Sequence, residues 1–111
     1  MGKTNLTLGK NQLGENIFLY VGEKPNEDFR YLTSVKIDKG SLETLYARPR
    51  KNGEAYRFGG MTRKLKKLLC GCSLAEKNRP VICDKDGVIW LVGFPAADGK
   101  SGEIAIYYAE K

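Results

Sequence analysis

A chain of 111 residues with 41% hydrophobic content fits one domain around one core, and its nineteen Lys and Arg against thirteen Asp and Glu leave a net charge of +6. It has no histidine, which removes the commonest general base, the usual partner of a nucleophilic Ser or Cys and the commonest metal ligand. No apolar run approaches the ~20 residues of a membrane span, and three cysteines without histidine make neither a disulfide framework nor a four-ligand zinc site.

No apolar h-region follows Lys3 or Lys10, so no export signal is visible and a cytoplasmic protein is expected. Cys70, Cys72 and Cys83 then read as small core residues. The acids are scattered singly, apart from Glu27-Asp28, and no carboxylate pair is set up for acid-base work. The chain is expected not to be an enzyme, and to need no cofactor of its own.

In chain order, residues 1–14 are polar and Gly-containing, and are expected to be a weakly ordered segment preceding a single domain over 15–111. Ile17 to Val21 is a β-branched and aromatic run closed by Gly22, which predicts a strand. Glu23 to Asp28, with Pro25 and Asn26, predicts a turn, and Tyr31 to Ile37 a second strand that pairs with the first as a hairpin. Leu42 to Ala47 predicts a third strand, running into the loop Arg48-Pro49-Arg50-Lys51-Asn52-Gly53. Tyr56 and Phe58 read as anchors to the core in preference to base-stacking platforms, and Gly59-Gly60 as a turn.

A helix capped by Thr62 is expected next, because Leu65, Leu68, Leu69 and Cys72 recur at i, i+3, i+4 and i+7. Arg63, Lys64, Lys66 and Lys67 fill its remaining face. Leu74 to Asn78 predicts a further helical turn. Two apolar runs, Pro80 to Asp84 and Val88 to Val92, flank Asp86-Gly87 and predict a hairpin with Trp90 in the core. Glu103 to Tyr108 predicts the last strand. The sum is an α+β fold: a mostly antiparallel sheet of five or six strands with one or two short helices.

The charge is not evenly spread. Between Arg48 and Lys67 stand eight basic residues and one acid, Glu54, a local +7, so the other ninety-one residues sum to −1. A block of this kind on a neutral body is the electrostatic footprint of a polyanion partner. Arg48, Arg50, Lys51, Arg57, Arg63, Lys64, Lys66 and Lys67 are the candidate phosphate contacts, arginine by bidentate hydrogen bonding and lysine as a point charge. A helix face with four cations and no acid is unlike a surface that mixes signs for stability.

From about Val35 to the C-terminus the order of elements resembles the C-terminal domain of bacterial tRNA(Ile)-lysidine synthetase. The resemblance rests on Ile37-Asp38, the strand and loop Leu45 to Glu54, Gly59-Gly60, and the helix Arg63 to Leu69. It continues through Arg79-Pro80-Val81-Ile82, Asp86-Gly87 and Val88 to Gly93, and covers about two-thirds of the chain. Glu54 stands where the family commonly has Asp, and Arg79 abuts Pro80 where the family's arginine lies several residues earlier.

The resemblance implies a small α+β domain of the type also found in a phenylalanyl-tRNA synthetase subunit. It also implies a division of labour. In that family the enzyme uses ATP and Mg in a PP-loop catalytic domain to join lysine to the anticodon cytidine of tRNA(Ile). The C-terminal domain helps recognise the tRNA, including its acceptor stem. The Ser-Gly-Gly-X-Asp-Ser-type loop of the catalytic domain does not occur in these 111 residues. The expected partners are therefore tRNA and the N-terminal catalytic domain of the same protein, with no membrane. The alternative is a protein-interaction or dimerisation module, homodimer included, whose basic face meets an acidic protein surface.

Overall fold

The computed structural model describes residues 3–22 and 31–110, with the side chains of Tyr31 and Leu32 excepted. The turn expected over Glu23 to Asp28 lies outside the described residues. The elements are β1 (Thr4–Asn5), β2 (Gly9–Gln12), β3 (Ile17–Val21), β4 (Tyr31–Ile37), a 3-10 helix (Lys39–Thr44), β5 (Tyr46–Arg48), β6 (Ala55–Phe58), β7 (Met61–Lys64), α1 (Leu65–Leu68), α2 (Leu74–Lys77), β8 (Val81–Asp84), β9 (Gly87–Leu91) and β10 (Ile104–Glu110). Every strand pairing is antiparallel. The fold is the α+β class read from the sequence, with short strands raising the number among the described residues to ten. No helix among these residues is long and apolar enough to cross a membrane.

The strands form two four-stranded sheets, ordered β1-β5-β8-β9 and β2-β3-β10-β4, and the separate hairpin β6-β7. One core joins all three. Leu19, Val21, Ile106 and Tyr108 from one sheet meet Ala47, Val81, Ile82, Ile89 and Trp90 from the other, with Tyr56, Phe58, Leu65 and Leu69 in the same cluster. β8 is buried along its whole length, which is why Val81-Ile82-Cys83 is a continuous apolar run instead of an alternating one. Trp90 is fully buried, and its indole N–H donates to the Phe94 carbonyl at 2.7 Å.

Three expectations are corrected. β3 and β4 do not pair with each other; β10 lies between them, in register with both. A seven-residue strand that closes the chain and is well buried makes the better central partner, and such long-range pairing leaves no local signal. Leu42 to Ala47 is not one strand. Asp38 accepts the Gly40 N–H and buried Asp84 accepts the Ser41 hydroxyl at 2.7 Å, which winds residues 39–44 into a 3-10 helix and delays the strand to Tyr46. Thr62 is not a helix cap. Gly59 and Gly60, at φ +64° and +79°, make the turn of a two-residue hairpin whose twist suits the flanking strands, so Met61–Lys64 is β7 and α1 starts at Leu65.

The N-terminal strands pack on both sheets. Residues 3–14 are docked: β1 pairs with β5, β2 with β3, and Leu6 and Leu13 are each 5% exposed within the core. Asn11 holds this segment from inside. Its carbonyl oxygen accepts the Thr7 N–H at 2.9 Å, and its amide donates to the carbonyls of Thr7, Gly9 and Leu19 at 2.8, 3.1 and 3.3 Å. Asn11 is one polar residue among many in this segment, so its contacts left no pattern to read in the sequence.

The loop from Gly93 to Gly102 is tied down at both ends. Gly102 lies against the backbone of Ile37 and Asp38, where an added Cβ would stand 2.5 Å from the Ile37 carbonyl oxygen. Lys100 bridges Asp84 and Asp86 at 2.8 and 2.6 Å. The loop therefore presents Pro95 and Asp98 as fixed acceptors for the β6-β7 hairpin.

If Asn11 organises the N-terminal strands, Asn11→Ala should cost about 1–3 kcal/mol of unfolding free energy, the scale of a broken buried hydrogen-bond set. Chemical denaturation measures it. A loss within about 0.5 kcal/mol, the scale of an ordinary surface change, would contradict the docking.

A cationic groove as candidate nucleic-acid interface

The eight candidate cations do not all line one groove. Arg48 ends β5, Arg50 and Lys51 lie in the following loop, Arg57 is on β6, Arg63 and Lys64 are on β7, and Lys66 and Lys67 are on α1. Three of the eight are engaged internally. Arg48 forms a bidentate pair with Glu54, both side chains largely buried. Arg57 faces Asp98 at 3.6 Å across an exposed surface. Arg63 donates from Nε to the Phe58 carbonyl at 3.3 Å, and its guanidinium sits 4.6 Å from the centre of the Phe58 ring.

The Arg48–Glu54 pair shapes the loop that follows. One Glu54 oxygen also accepts the Lys51 backbone N–H at 2.7 Å, and the Glu54 carbonyl accepts the Leu65 N–H at 3.0 Å. A single residue thereby ties the 49–53 loop to the start of α1. Burial pushes the Glu54 carboxyl up, but hydrogen bonds from Arg48 and from the Lys51 N–H outweigh it and hold the carboxyl below its usual range. The same pair raises the Arg48 guanidinium further above its ordinary value.

With Glu54 turned inward, four of the five remaining candidates converge. Arg50, Lys64, Lys66, Lys67 and Lys77 line one concave groove of about 650 Å³, together with Asn52, Leu69 and Cys70. No acidic residue lines it, and none of these five side chains forms an ion pair among the described residues. Arg50 Nε is buried without a hydrogen-bond partner among the described residues. Lys51 lies outside the groove, in a neighbouring depression that Arg50 also lines.

The apolar face of α1 is turned to the core, and Leu69, its C-cap, also lines the groove. Leu65 and Leu69 are 1% and 4% exposed, and Leu68 and Cys72 pack against the same core. Burying that face leaves Lys66 and Lys67 exposed on the other. Cys83 is core, as expected, but Cys70 is exposed and stands on the groove wall, which corrects its reading as a core residue. Tyr56 and Phe58 are core anchors: both are buried, and the Tyr56 hydroxyl donates to the Pro95 carbonyl at 2.8 Å. The Asp98 carboxylate accepts the Gly59 and Gly60 N–H groups at 3.0 and 2.9 Å, fixing the hairpin tip.

Lys77 is the contributor that sequence reasoning missed. It ends α2, whose N-cap Ser73 accepts the Glu76 N–H at 3.2 Å while its hydroxyl donates to the Glu76 carboxylate at 3.1 Å. That Ser-x-x-Glu capping box is a legible helix start. It places Lys77 one helical turn later, but its convergence on the groove depends on tertiary packing. Arg79, close by in sequence, is engaged elsewhere, paired with Glu110 at 3.0 Å.

The Glu54 carboxylate, held below its ordinary range, contributes stability that is complete above about pH 4.5 and is lost as the pH falls through its lowered folded value. Glu54→Gln should therefore lower the unfolding free energy by about 1–3 kcal/mol at pH 7, and the gap from the native chain should narrow below pH 4. A gap independent of pH would contradict the ion pair as its source.

No protein-family model matches the chain, and no curated protein matches it. A crystal structure of the TilS C-terminal domain matches over 97% of this chain and 95% of that chain, with a TM-score of 0.72 at 20% sequence identity. The fold is the one that the resemblance in the sequence implied. The match also takes in the N-terminal strands, beyond the stretch from Val35 that carried the resemblance. The chain has the fold of the TilS C-terminal domain.

Proposed function

We propose that this chain is a noncatalytic tRNA-binding domain of the tRNA(Ile)-lysidine synthetase type. It lies against the phosphate backbone of the tRNA, at the acceptor stem, and works in the cytoplasm beside a separate catalytic domain that uses ATP and Mg. The observation that carries this reading is the acid-free groove where Arg50, Lys64, Lys66, Lys67 and Lys77 converge. Like charges gathered in one concavity repel one another, and a polyanion relieves that repulsion. The fold likeness supports the same assignment.

The roles of the cations differ. The five groove residues make the phosphate contacts, with Lys51 at the rim. Arg48 is a positioning residue that holds the loop through Glu54, and Arg57 and Arg63 brace the β6-β7 hairpin. Binding is electrostatic and carries little base specificity, as suits duplex RNA read by shape, phosphates and 2′-hydroxyls.

Titration with a tRNA(Ile) transcript across a salt series tests this reading. Five phosphate contacts give a log-log slope of about −3.5 to −4.5. Replacing Lys64, Lys66, Lys67 and Lys77 together by Gln should flatten the slope by roughly 3 and leave the thermal unfolding transition in place. Arg57→Gln should leave the slope unchanged. A salt-independent affinity, or a chain that dimerises on gel filtration and binds no tRNA, would overturn the assignment in favour of a protein-interaction module.

A further inference from the structure

The groove has a feature that general backbone binding does not require. Its cations arrive from three separate segments: Arg50 from the loop, Lys64, Lys66 and Lys67 from the β7-α1 junction, and Lys77 from α2. They surround a concavity of about 650 Å³ where a flat track of charge would serve an extended strand. The backbone of a duplex is convex and offers its phosphates singly, each a diester with one negative charge. A strand end enters a concavity and offers a monoester with a charge near −2 and three acceptor oxygens.

We infer that this groove takes the 5′-terminal phosphomonoester of the RNA strand. The inference rests on the RNA-binding reading above and deepens it. Arg50 and Lys77, from separate segments, close on that dianion, and Lys64, Lys66 and Lys67 take the backbone phosphates next to it. Arg50 supplies a planar guanidinium fork to the groove lining. Asn52 adds an uncharged polar side chain to the lining, and no carboxylate among the described residues lines the groove to repel the second charge. Arg48, although adjacent in sequence, is excluded from this role by its pairing with Glu54.

Fluorescence anisotropy with the whole chain and one RNA stem-loop, prepared with a 5′-phosphate and with a 5′-hydroxyl, tests the inference. The phosphorylated RNA should bind about tenfold more tightly at pH 7.5, as a charge-assisted contact to a dianion predicts. That advantage should shrink below about pH 6, where the monoester takes up its second proton. Lys77→Gln and Arg50→Gln should each reduce the difference between the two RNAs while leaving residual, salt-sensitive binding.

Inorganic phosphate, added alone as competitor, should displace the phosphorylated RNA only at concentrations far above that RNA's own. Equal affinity for the two RNAs, with salt dependence intact, would overturn the strand-end inference and leave the tRNA-binding reading standing. Inorganic phosphate that competes as well as the RNA itself would also overturn it, by making the groove a site for the free ion. Failure of both RNAs to bind would remove the tRNA-binding reading and this inference with it.

Discussion

The site depends on where one carboxylate points. Glu54 is the lone acid in a stretch of eight cations, and it turns inward to Arg48 and the Lys51 N–H while its carbonyl receives the N–H that opens α1. Two consequences follow from that geometry. The loop carrying Arg50 is fixed against the helix carrying Lys66 and Lys67, so the groove has two firm walls. The carboxylate that would otherwise neutralise the groove is withdrawn from it. Had Glu54 pointed outward, the same composition would give a mixed-sign surface with little pull on a polyanion.

The same logic sorts the other cations. An arginine held by a carboxylate or stacked on a ring has already spent much of its interaction capacity, and recruiting it to a phosphate would break a contact elsewhere. Arg48, Arg57 and Arg63 are in that state. Lys64, Lys66 and Lys67 are exposed and Lys77 half-buried, none is in an ion pair among the described residues, and only their mutual repulsion has to be overcome. Charge counting along the chain cannot make this distinction, because it depends on Asp98 and Phe58 as well as Glu54. Asp98 lies thirty-one residues beyond Lys67 in the sequence.

What was legible in the sequence follows from interaction range. The α+β class, the Asp86-Gly87 hairpin, the buried Trp90 and the leucine face of α1 rest on neighbours a few residues apart, and those were readable. The placement of β10 between β3 and β4, the docking of β1 and β2, and the 3-10 helix held by Ser41 and Asp84 rest on contacts across the chain. Those were not. The Gly59-Gly60 pair was readable as a turn, but its flanking residues resemble both a strand and the start of a basic helix. The buried positions decided between them: Tyr56 and Phe58 alternate inward, and the hairpin buries both. Of the candidate site, the region and its sign were visible, whereas the split into contacts and braces, and the arrival of Lys77, were tertiary.

Backbone amide chemical shifts, followed by NMR as tRNA is added to the labelled chain, report most directly on whether the groove is the contact surface. The account predicts that the largest shifts cluster at 50–52, 64–70 and 77, with the β2-β3-β10-β4 sheet unaffected. Shifts concentrated on that sheet, or at Arg57 and the hairpin tip while the groove stays silent, would contradict it.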